Sequence, residues 1–276
     1  MTILITGSSS GIGAAAAVEL TARGHTVLVT GRSADKLADV HGRMLAVAPR
    51  DVKVPDPIVA DFSALDGVRS LAATVLASCP RLDALVNNAA VQPSRRRESA
   101  DGFELGFAVN HLAPFLLTGL LLDRLHESGG RVITTSSSAH TKGRLNFDDL
   151  PMRLRWTSQR SYARSKLANI LFTAELARRT KLAASSFHPG SVSTDLNRES
   201  PFVRMAKPLE RFIYTTPQRG AQTLTWLTAE EEGGHPSALY YVDRAPAQPS
   251  TDARDPDLAA RLWDVSTALV DRHAHR

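Results

Sequence analysis

The sequence contains a single cysteine, Cys79, among 276 residues. One cysteine cannot form an intrachain disulfide, and this composition fits a reducing compartment. The longest apolar stretch, about residues 112–122, is too short to span a bilayer and contains Pro114. No charged leader precedes the first apolar run, so we expect no signal peptide. The sequence therefore predicts a cytoplasmic protein without a membrane span.

Groups of residues with the spacing of metal ligands are also missing. His111, His140 and His188 are interpreted as local packing or loop residues. The formal net charge is +5, and the basic residues are scattered apart from the arginine triplet at 95–97. That triplet is typical of a solvated loop, with contact to a phosphate or a partner as the alternative. Nothing in this composition indicates a metal site or nucleic-acid binding.

What the sequence does contain is a regular alternation of short apolar runs and amphipathic segments. The apolar runs predict strands at residues 2–6, 26–30, 57–60, 84–87, 131–135, 183–187 and 238–242. The amphipathic segments predict helices at residues 13–23, 34–45, 65–78, 101–126, 162–179 and 217–228. Such alternation is typical of a parallel sheet covered by helices.

We therefore predict an α/β fold with one doubly wound domain over residues 1–276 and about seven strands. At 43% hydrophobic residues, the chain can bury one large core. Residues 191–216, which include Pro201 and Pro208, interrupt the alternation. Long irregular inserts of this kind are often binding loops, so this segment is predicted to be the substrate loop.

A glycine-rich loop, Gly-Ser-Ser-Ser-Gly-Ile-Gly, follows the first predicted strand at residues 7–13. Glycine allows a tight turn and lets backbone amides approach a pyrophosphate at a helix N-terminus. The spacing differs from the Gly-x-Gly-x-x-Gly fingerprint, and an ordinary Gly/Ser turn is the alternative interpretation. The loop predicts that a dinucleotide binds at Gly7, Ser9, Ser10, Gly11, Ile12 and Gly13.

The end of the second predicted strand indicates which dinucleotide binds. A carboxylate at this point selects NAD through the ribose hydroxyls, whereas an arginine suits the 2′-phosphate of NADP. This chain has Thr30-Gly31-Arg32, and Asp35 is interpreted as part of the next helix. We therefore predict that NADP(H) is preferred over NAD(H), with Arg32 in the cofactor site. The alternative is that Arg32 is a solvated loop residue.

Tyr162 and Lys166 are four residues apart in a predicted helix, which places them on one face. An ammonium beside a phenol favours the phenolate, lowers the pKa of the tyrosine and makes it a proton carrier near neutral pH. Taken alone, the pair has ordinary explanations, namely packing for the tyrosine and a solvated charge for the lysine.

Together these features resemble the short-chain dehydrogenase/reductase family over almost the whole chain. Residues 6–13 are similar to its Thr-Gly-x3-Gly-x-Gly loop, and residues 87–90 to its Asn-Asn-Ala-Gly, with Ala90 replacing glycine. The runs at 109–112, 136–140 and 165–169 most resemble the retinol dehydrogenase branch, which commonly acts on lipophilic alcohols and carbonyls. The resemblance implies further cofactor contacts from Asp61, Phe62, Asn88, Ala89, Ala90, Tyr162, Lys166, Pro189, Gly190, Val192 and Thr194.

The same resemblance implies a catalytic tetrad of Asn110, Ser137, Tyr162 and Lys166. Tyr162 would exchange the proton, Ser137 would polarise the substrate oxygen, and Lys166 would lower the tyrosine pKa and hold the nicotinamide ribose. Asn110 would hold a water that links Lys166 to solvent. Ser138 is the main competitor for the serine, and we prefer Ser137 because neighbouring positions at a strand end point to opposite sides.

These inferences predict an NADP(H)-dependent oxidoreductase that interconverts an alcohol and a carbonyl on a small lipophilic or secondary-metabolite substrate. One alternative is a catalytically silent NADP(H)-binding sensor, which would be expected to lack the tyrosine or the lysine. Another is a relative of the epimerase or dehydratase type, for which little chain remains after the seventh strand. The resemblance also implies a possible homo-oligomer that pairs through the helices holding Asn110 and Tyr162.

Overall fold

The computed structural model describes residues 1–190, 215–231 and 240–272. Across these residues, eight strands form one sheet in the order β3-β2-β1-β4-β5-β6-β7-β8. The strands are β1 (Thr2–Thr6), β2 (Thr26–Gly31), β3 (Ile58–Val59), β4 (Ala84–Asn87), β5 (Arg131–Thr135), β6 (Ala183–His188), β7 (Tyr240–Val242) and β8 (Ala245–Pro246). All pairs from β3 to β7 are parallel, and β8 adds an antiparallel edge that the sequence pattern did not predict. The predicted doubly wound α/β fold is confirmed.

Helices cover both faces of this sheet. They are α1 (Gly11–Ala22), α2 (Ala34–Val47), α3 (Leu65–Ser78), α4 (Leu105–Phe107), α5 (Ala113–Leu120), α6 (Leu122–Glu127), α7 (Ser158–Thr180), α8 (Pro217–Ala229) and α9 (Pro256–Asp271). Side chains alternate along β1, so Ile3 and Ile5 face the core beneath α1, α2 and α8. Leu4 faces the opposite core, beneath α3, α5, α7 and α9.

The predicted continuous helix over residues 101–126 is wrong. The Glu104 carboxylate accepts hydrogen bonds from the backbone N–H groups of Gly106 and Phe107. Glu104 thereby caps the N-terminus of α4, which begins at Leu105. A π-helical segment, Ala108–Leu112, follows α4 and leads into α5, whose first turn contains Pro114. Proline has no N–H to continue the regular helical ladder, so the chain changes its hydrogen-bond spacing before this residue.

Helix α9 packs across α5 and α7. Its Trp263 ring lies 5.0 Å from the Phe115 ring and 6.1 Å from the Phe172 ring, measured between centroids. Arg179 on α7 also lies over Trp263, at 5.1 Å. Helix α9 thus covers part of α5 and α7, the region where subunits are expected to pair. This pairing stays a prediction. Among the described residues, no helix is both long enough and apolar enough to cross a membrane.

Candidate active site

The carboxyl ends of the parallel strands open into a cleft of about 660 Å³. The strand order reverses at β1, and α/β proteins bind their ligands at such a point. The cleft extends from residues that follow β2 to residues on α7. Its lining includes most of the residues expected from the sequence: Gly7, Ser9, Ser10, Gly11, Ile12, Arg32, Asp61, Phe62, Asn88, Ala89, Ala90, Ser137, Tyr162, Lys166, Pro189 and Gly190.

The loop after β1 is held by the segment after β4. The Thr6 hydroxyl oxygen accepts the backbone N–H groups of Asn88 (2.9 Å) and Ala89 (3.1 Å). In return, Asn88 Nδ2 donates to the backbone oxygens of Thr6 (3.0 Å) and Gly7 (3.2 Å). Gly7 has a φ of +65°, and a Cβ there would lie 2.6 Å from the Ala89 Cα. Gly13 packs beneath the loop, where a Cβ would lie 2.6 Å from Asn88 Nδ2.

Helix α1 begins at Gly11 and points its N-terminus into this cleft. Ser10 is its N-cap residue, and the serine side chain makes no capping hydrogen bond. The first backbone N–H groups of a helix have no partner within the helix and favour an anion. The glycine cradle and this open helix end therefore fit a dinucleotide pyrophosphate.

The adenosine end of the cleft carries two basic side chains. Arg32 follows β2 and is exposed, whereas Asp35 lies in the first turn of α2, as the sequence predicts. Lys36 also lines the cleft and is not among the residues predicted for the cofactor site. Its place in the first turn of α2, directly after the segment that contains Arg32, was the available signal. Asp61 and Phe62, which follow β3, complete this end.

The three consecutive serines after β5 have three different environments. Ser136 is buried, and its hydroxyl donates to the backbone oxygen of Lys166 at 2.8 Å. Ser137 lines the cleft and forms a side-chain hydrogen bond with Tyr162. Ser138 is exposed and begins a 3₁₀ turn, Ser138–Lys142. The structure thus brings Ser137, rather than Ser138, to the tyrosine.

Tyr162 and Lys166 share one face of α7, with Lys166 Nζ 5.5 Å from the centre of the tyrosine ring. Burial raises the pKa of Tyr162 to about 12, and the hydrogen bond from Ser137 acts in the opposite direction. Burial also lowers the pKa of Lys166 to about 7. The expected lowering of the tyrosine pKa by the lysine is wrong for this structure. Burial is the largest cause of both pKa shifts, because it disfavours the charged form of the tyrosine and of the lysine.

Asn110 lies in the π-helical segment and is fully buried behind the cleft. Its Oδ1 accepts the Val91 N–H at 2.7 Å, and its Nδ2 donates to the Val91 carbonyl at 2.9 Å and to Ser165 Oγ at 3.0 Å. Ser165 in turn donates to the Tyr162 carbonyl at 2.8 Å. The amide side chain therefore fastens the segment after β4 to the turn of α7 that carries Tyr162.

A buried ion pair braces the same helix. Arg164 and Glu104 are 2% and 0% exposed at their side chains, and Arg164 Nη2 lies 3.0 Å from Glu104 Oε2. The carboxylate also accepts from Trp156 Nε1 at 3.1 Å and from the Ser161 hydroxyl at 2.8 Å. Arg164 additionally donates to the Leu150 carbonyl. This network joins α4, the segment that precedes α7, and α7 itself.

The nicotinamide end is described in part. Pro189 and Gly190 follow β6 and line the cleft, as expected. Val192 and Thr194 lie outside the described residues, as does nearly all of the predicted substrate loop at 191–216. Within the described part of the chain, no group of three or more His, Cys, Asp or Glu side chains could hold a metal ion.

Comparison with known proteins identifies the family. Residues 1–202 match the family model described as short chain dehydrogenase. The chain belongs to the short-chain dehydrogenase family. Members of this family are oxidoreductases that bind a nicotinamide cofactor and act on alcohols and carbonyls, so the chain is an enzyme of this type.

Individual relatives support the resemblance to the retinol dehydrogenase branch. Retinol dehydrogenase 14 of Homo sapiens is 36% identical over 288 residues, covering 98% of this chain and 86% of the relative. A Streptomyces sp. (strain C5) protein, provisionally named daunorubicin C-13 ketoreductase DnrU, is 39% identical, with 98% and 92% covered. The crystal structure of an uncharacterized protein from Mycobacterium paratuberculosis is similar with a TM-score of 0.76, at 31% identity and with 98% and 93% covered. The predicted branch is confirmed.

Proposed function

We propose that the protein is an NADP(H)-dependent oxidoreductase that interconverts an alcohol and a carbonyl on a lipophilic small molecule, with Tyr162 as the acid and base. The observation that carries this proposal is the convergence of three side chains in one cleft. The Tyr162 phenol, the Ser137 hydroxyl and the Lys166 ammonium share this cleft with the glycine loop. The hydrogen bond between Ser137 and Tyr162 places a polarising hydroxyl directly beside a proton donor.

The bound cofactor supplies or accepts the hydride, and the protein handles the charge and the proton. In the direction of reduction, negative charge develops on the substrate oxygen. The Ser137 hydroxyl would turn its single O–H from Tyr162 to this oxygen, while its Oγ continues to accept the Ala139 N–H at 3.2 Å. Tyr162 would then donate its proton. With a pKa of about 12, the phenol carries that proton at neutral pH, which suits carbonyl reduction.

Lys166 would support the tyrosine from behind. Its Nζ donates to the Thr135 carbonyl at 2.9 Å, and Asn169 Nδ2 donates to the same oxygen at 3.1 Å. These contacts fix the lysine at the end of β5, beside the serines. Because burial places its pKa at about 7, the side chain can gain or lose a proton near neutral pH. Asn110 would hold the backbone geometry, since both N–H groups of its side-chain amide are engaged with Val91 and Ser165. The water that Asn110 is expected to hold stays a prediction.

The preference for NADP(H) is supported by the charges at the adenosine end. Arg32 and Lys36 both line the cleft after β2, and the nearest acid in sequence, Asp35, does not. Two cations on one wall suit the doubly charged 2′-phosphate of NADP(H), whereas a carboxylate there would suit the ribose hydroxyls of NAD(H).

A lipophilic substrate is supported by the apolar side chains in the cleft and by the relatives. Val91, Pro93, Leu105 and Val109 line the cleft near the proposed tetrad. The named relatives include a retinol dehydrogenase and a protein named for reduction of the C-13 ketone of daunorubicin. The first name denotes an alcohol and the second a ketone, the two groups that the proposed reaction interconverts.

The test is a cofactor-coupled assay on retinol with NADP⁺ and on daunorubicin with NADPH. Wild-type protein should turn over at least one of these probes or a related lipophilic ketone. Ser137→Ala should lower kcat about 100-fold, in the range typical of a lost oxyanion donor. Ser138→Ala is the matched control and should turn over normally, because the Ser138 side chain is exposed. Equal activity of both variants would contradict the role given to Ser137.

A further inference from the structure

His140 lies directly behind the proposed catalytic serine, in the 3₁₀ turn Ser138–Lys142. The histidine is 3% exposed, and its Nδ1 lies 2.7 Å from the Ser137 carbonyl oxygen. The same carbonyl accepts the backbone N–H of His140 at 3.0 Å. Both hydrogen bonds to this oxygen therefore come from one residue.

The hydrogen bond at Nε2, on the opposite side of the imidazole ring, determines which ring nitrogen carries the proton. The backbone N–H of Ser250 donates to His140 Nε2 at 3.1 Å. A nitrogen that accepts this bond carries no proton, so the proton of the neutral ring lies on Nδ1. Nδ1 then donates to the Ser137 carbonyl. The Tyr240 ring packs edge-on against the imidazole, with centroids 5.1 Å apart. This packing restricts rotation of the imidazole ring.

We propose that His140 is a positioning residue for the reaction: its neutral, Nδ1-protonated ring holds Ser137 against Tyr162 and ties the serine to the segment at Ser250. This inference rests on the catalytic role proposed for Ser137. The segment at Ser250 follows β8 and leads into α9, so a movement of the C-terminal part of the chain would reach the serine through this ring.

Protonation of His140 would break the arrangement. An imidazolium presents an N–H at Nε2, where it would face the N–H of Ser250, and two donors cannot bond to each other. Within the described part of the chain, Tyr240 on β7 and His188 at the end of β6 are ionisable groups that interact with the ring, and Asp243 acts on His188. Burial lowers the pKa of His140, so the neutral form persists below the ordinary value of 6.5.

Two amide substitutions separate the two hydrogen bonds. The side-chain nitrogen of His140→Asn can occupy the position of Nδ1 and donate to the Ser137 carbonyl. The side-chain amide of His140→Gln reaches the position of Nε2 and can accept from Ser250, but it cannot also donate to Ser137. His140→Asn therefore keeps the hydrogen bond to Ser137, and His140→Gln keeps the hydrogen bond to Ser250. Both variants carry an amide side chain, so their polarity is similar.

The experiment measures kcat and KM from about pH 5 to 8, the range in which histidine titrates, for wild type and both variants. Wild-type kcat should fall on the acid side with one ionisation below pH 6.5. His140→Asn should retain most of kcat and lose this ionisation. His140→Gln should lose about 10- to 100-fold in kcat, with KM for NADPH unchanged, as a small misplacement of a catalytic group does.

Other outcomes overturn the inference. It is wrong if wild-type kcat is flat on the acid side, if His140→Asn retains the same acid ionisation, or if the two variants lose activity equally. Thermal melting of both variants identifies a purely structural effect, which would lower both melting temperatures together. Ser137→Ala separates this inference from the proposed function. If Ser137→Ala is inactive while both His140 variants behave as wild type, only the positioning role fails.

Discussion

Replacing Lys166 by methionine should abolish turnover and make the protein more stable. Lys166 is 1% exposed, and burial lowers its pKa from 10.5 to about 7. Methionine has a similar length and fills the same space without a group that resists burial. The Thr135 carbonyl would lose the lysine as a donor but keep Asn169 at 3.1 Å. The position is therefore one where function and stability are expected to conflict.

The sign and size of the stability gain follow from the two pKa values of Lys166. Its folded-state pKa is depressed, so below pH 10.5 the unfolded chain binds more protons and the native state is disfavoured as the pH falls. At about 1.4 kcal/mol per pKa unit, this cost is about 2 kcal/mol at pH 9, about 3 at pH 8 and about 5 at pH 6. Losing the hydrogen bond to Thr135 offsets about 1 kcal/mol. We expect a net gain of about 2 kcal/mol at pH 8, or roughly 4–8 °C in Tm.

The assay is thermal and urea unfolding of wild type and Lys166→Met at several pH values. Lys53→Met serves as the control, because Lys53 is exposed in the segment between α2 and β3. The control should change the free energy of unfolding by no more than about 0.5 kcal/mol. The reasoning is refuted if Lys166→Met is less stable than wild type, or if its gain does not increase from pH 9 to pH 6.

Two further predictions concern the cofactor and the buried ion pair. Arg32→Ala and Lys36→Ala should each raise the Kd for NADPH about 10- to 100-fold while leaving the Kd for NADH nearly unchanged, because each removes a charged partner of the 2′-phosphate. Equal effects on both cofactors, measured by titration, would contradict the NADP(H) preference. Glu104→Gln should lower the free energy of unfolding by about 3–5 kcal/mol, because it leaves the Arg164 charge buried and unpaired. In urea unfolding, Glu230→Gln is its control, since Glu230 pairs with Arg23 at the surface and should cost at most about 1 kcal/mol.

The sequence predicted the central strands and the cofactor loop because their signals are local. A buried parallel strand is a short apolar run, and the residues that follow it fall at one edge of the sheet. This position at the end of a strand predicts that Arg32 lies in the cofactor site, whereas Asn88 and Ser137 are predicted by the resemblance to the short-chain dehydrogenase family. The choice of Ser137 over Ser138 depends on the same resemblance and on the alternation of side chains at the end of β5.

The remaining features depend on long-range contacts that the sequence pattern does not reveal. Strand β8 contains two residues, one of them Pro246, and forms only because β7 offers an edge. Helix α9 has a clear start, with the Asp255 side chain accepting from the backbone N–H of Asp257 and Leu258, yet its packing on α7 is visible only in the fold. The helical spacing identifies Lys166 as the neighbour of Tyr162 but does not reveal the burial that raises the pKa of the tyrosine.

Tyr162→Phe is the decisive variant for the proposed chemistry, because it removes one hydroxyl and keeps the ring that Lys166 packs against. NADPH binding is measured by titration, and turnover is followed by nicotinamide absorbance with the substrate that wild type accepts. We expect near-normal NADPH affinity with kcat lowered by at least about 100-fold, the scale of a lost general acid. Normal turnover by this variant would contradict the assignment of Tyr162 as the proton donor and acceptor.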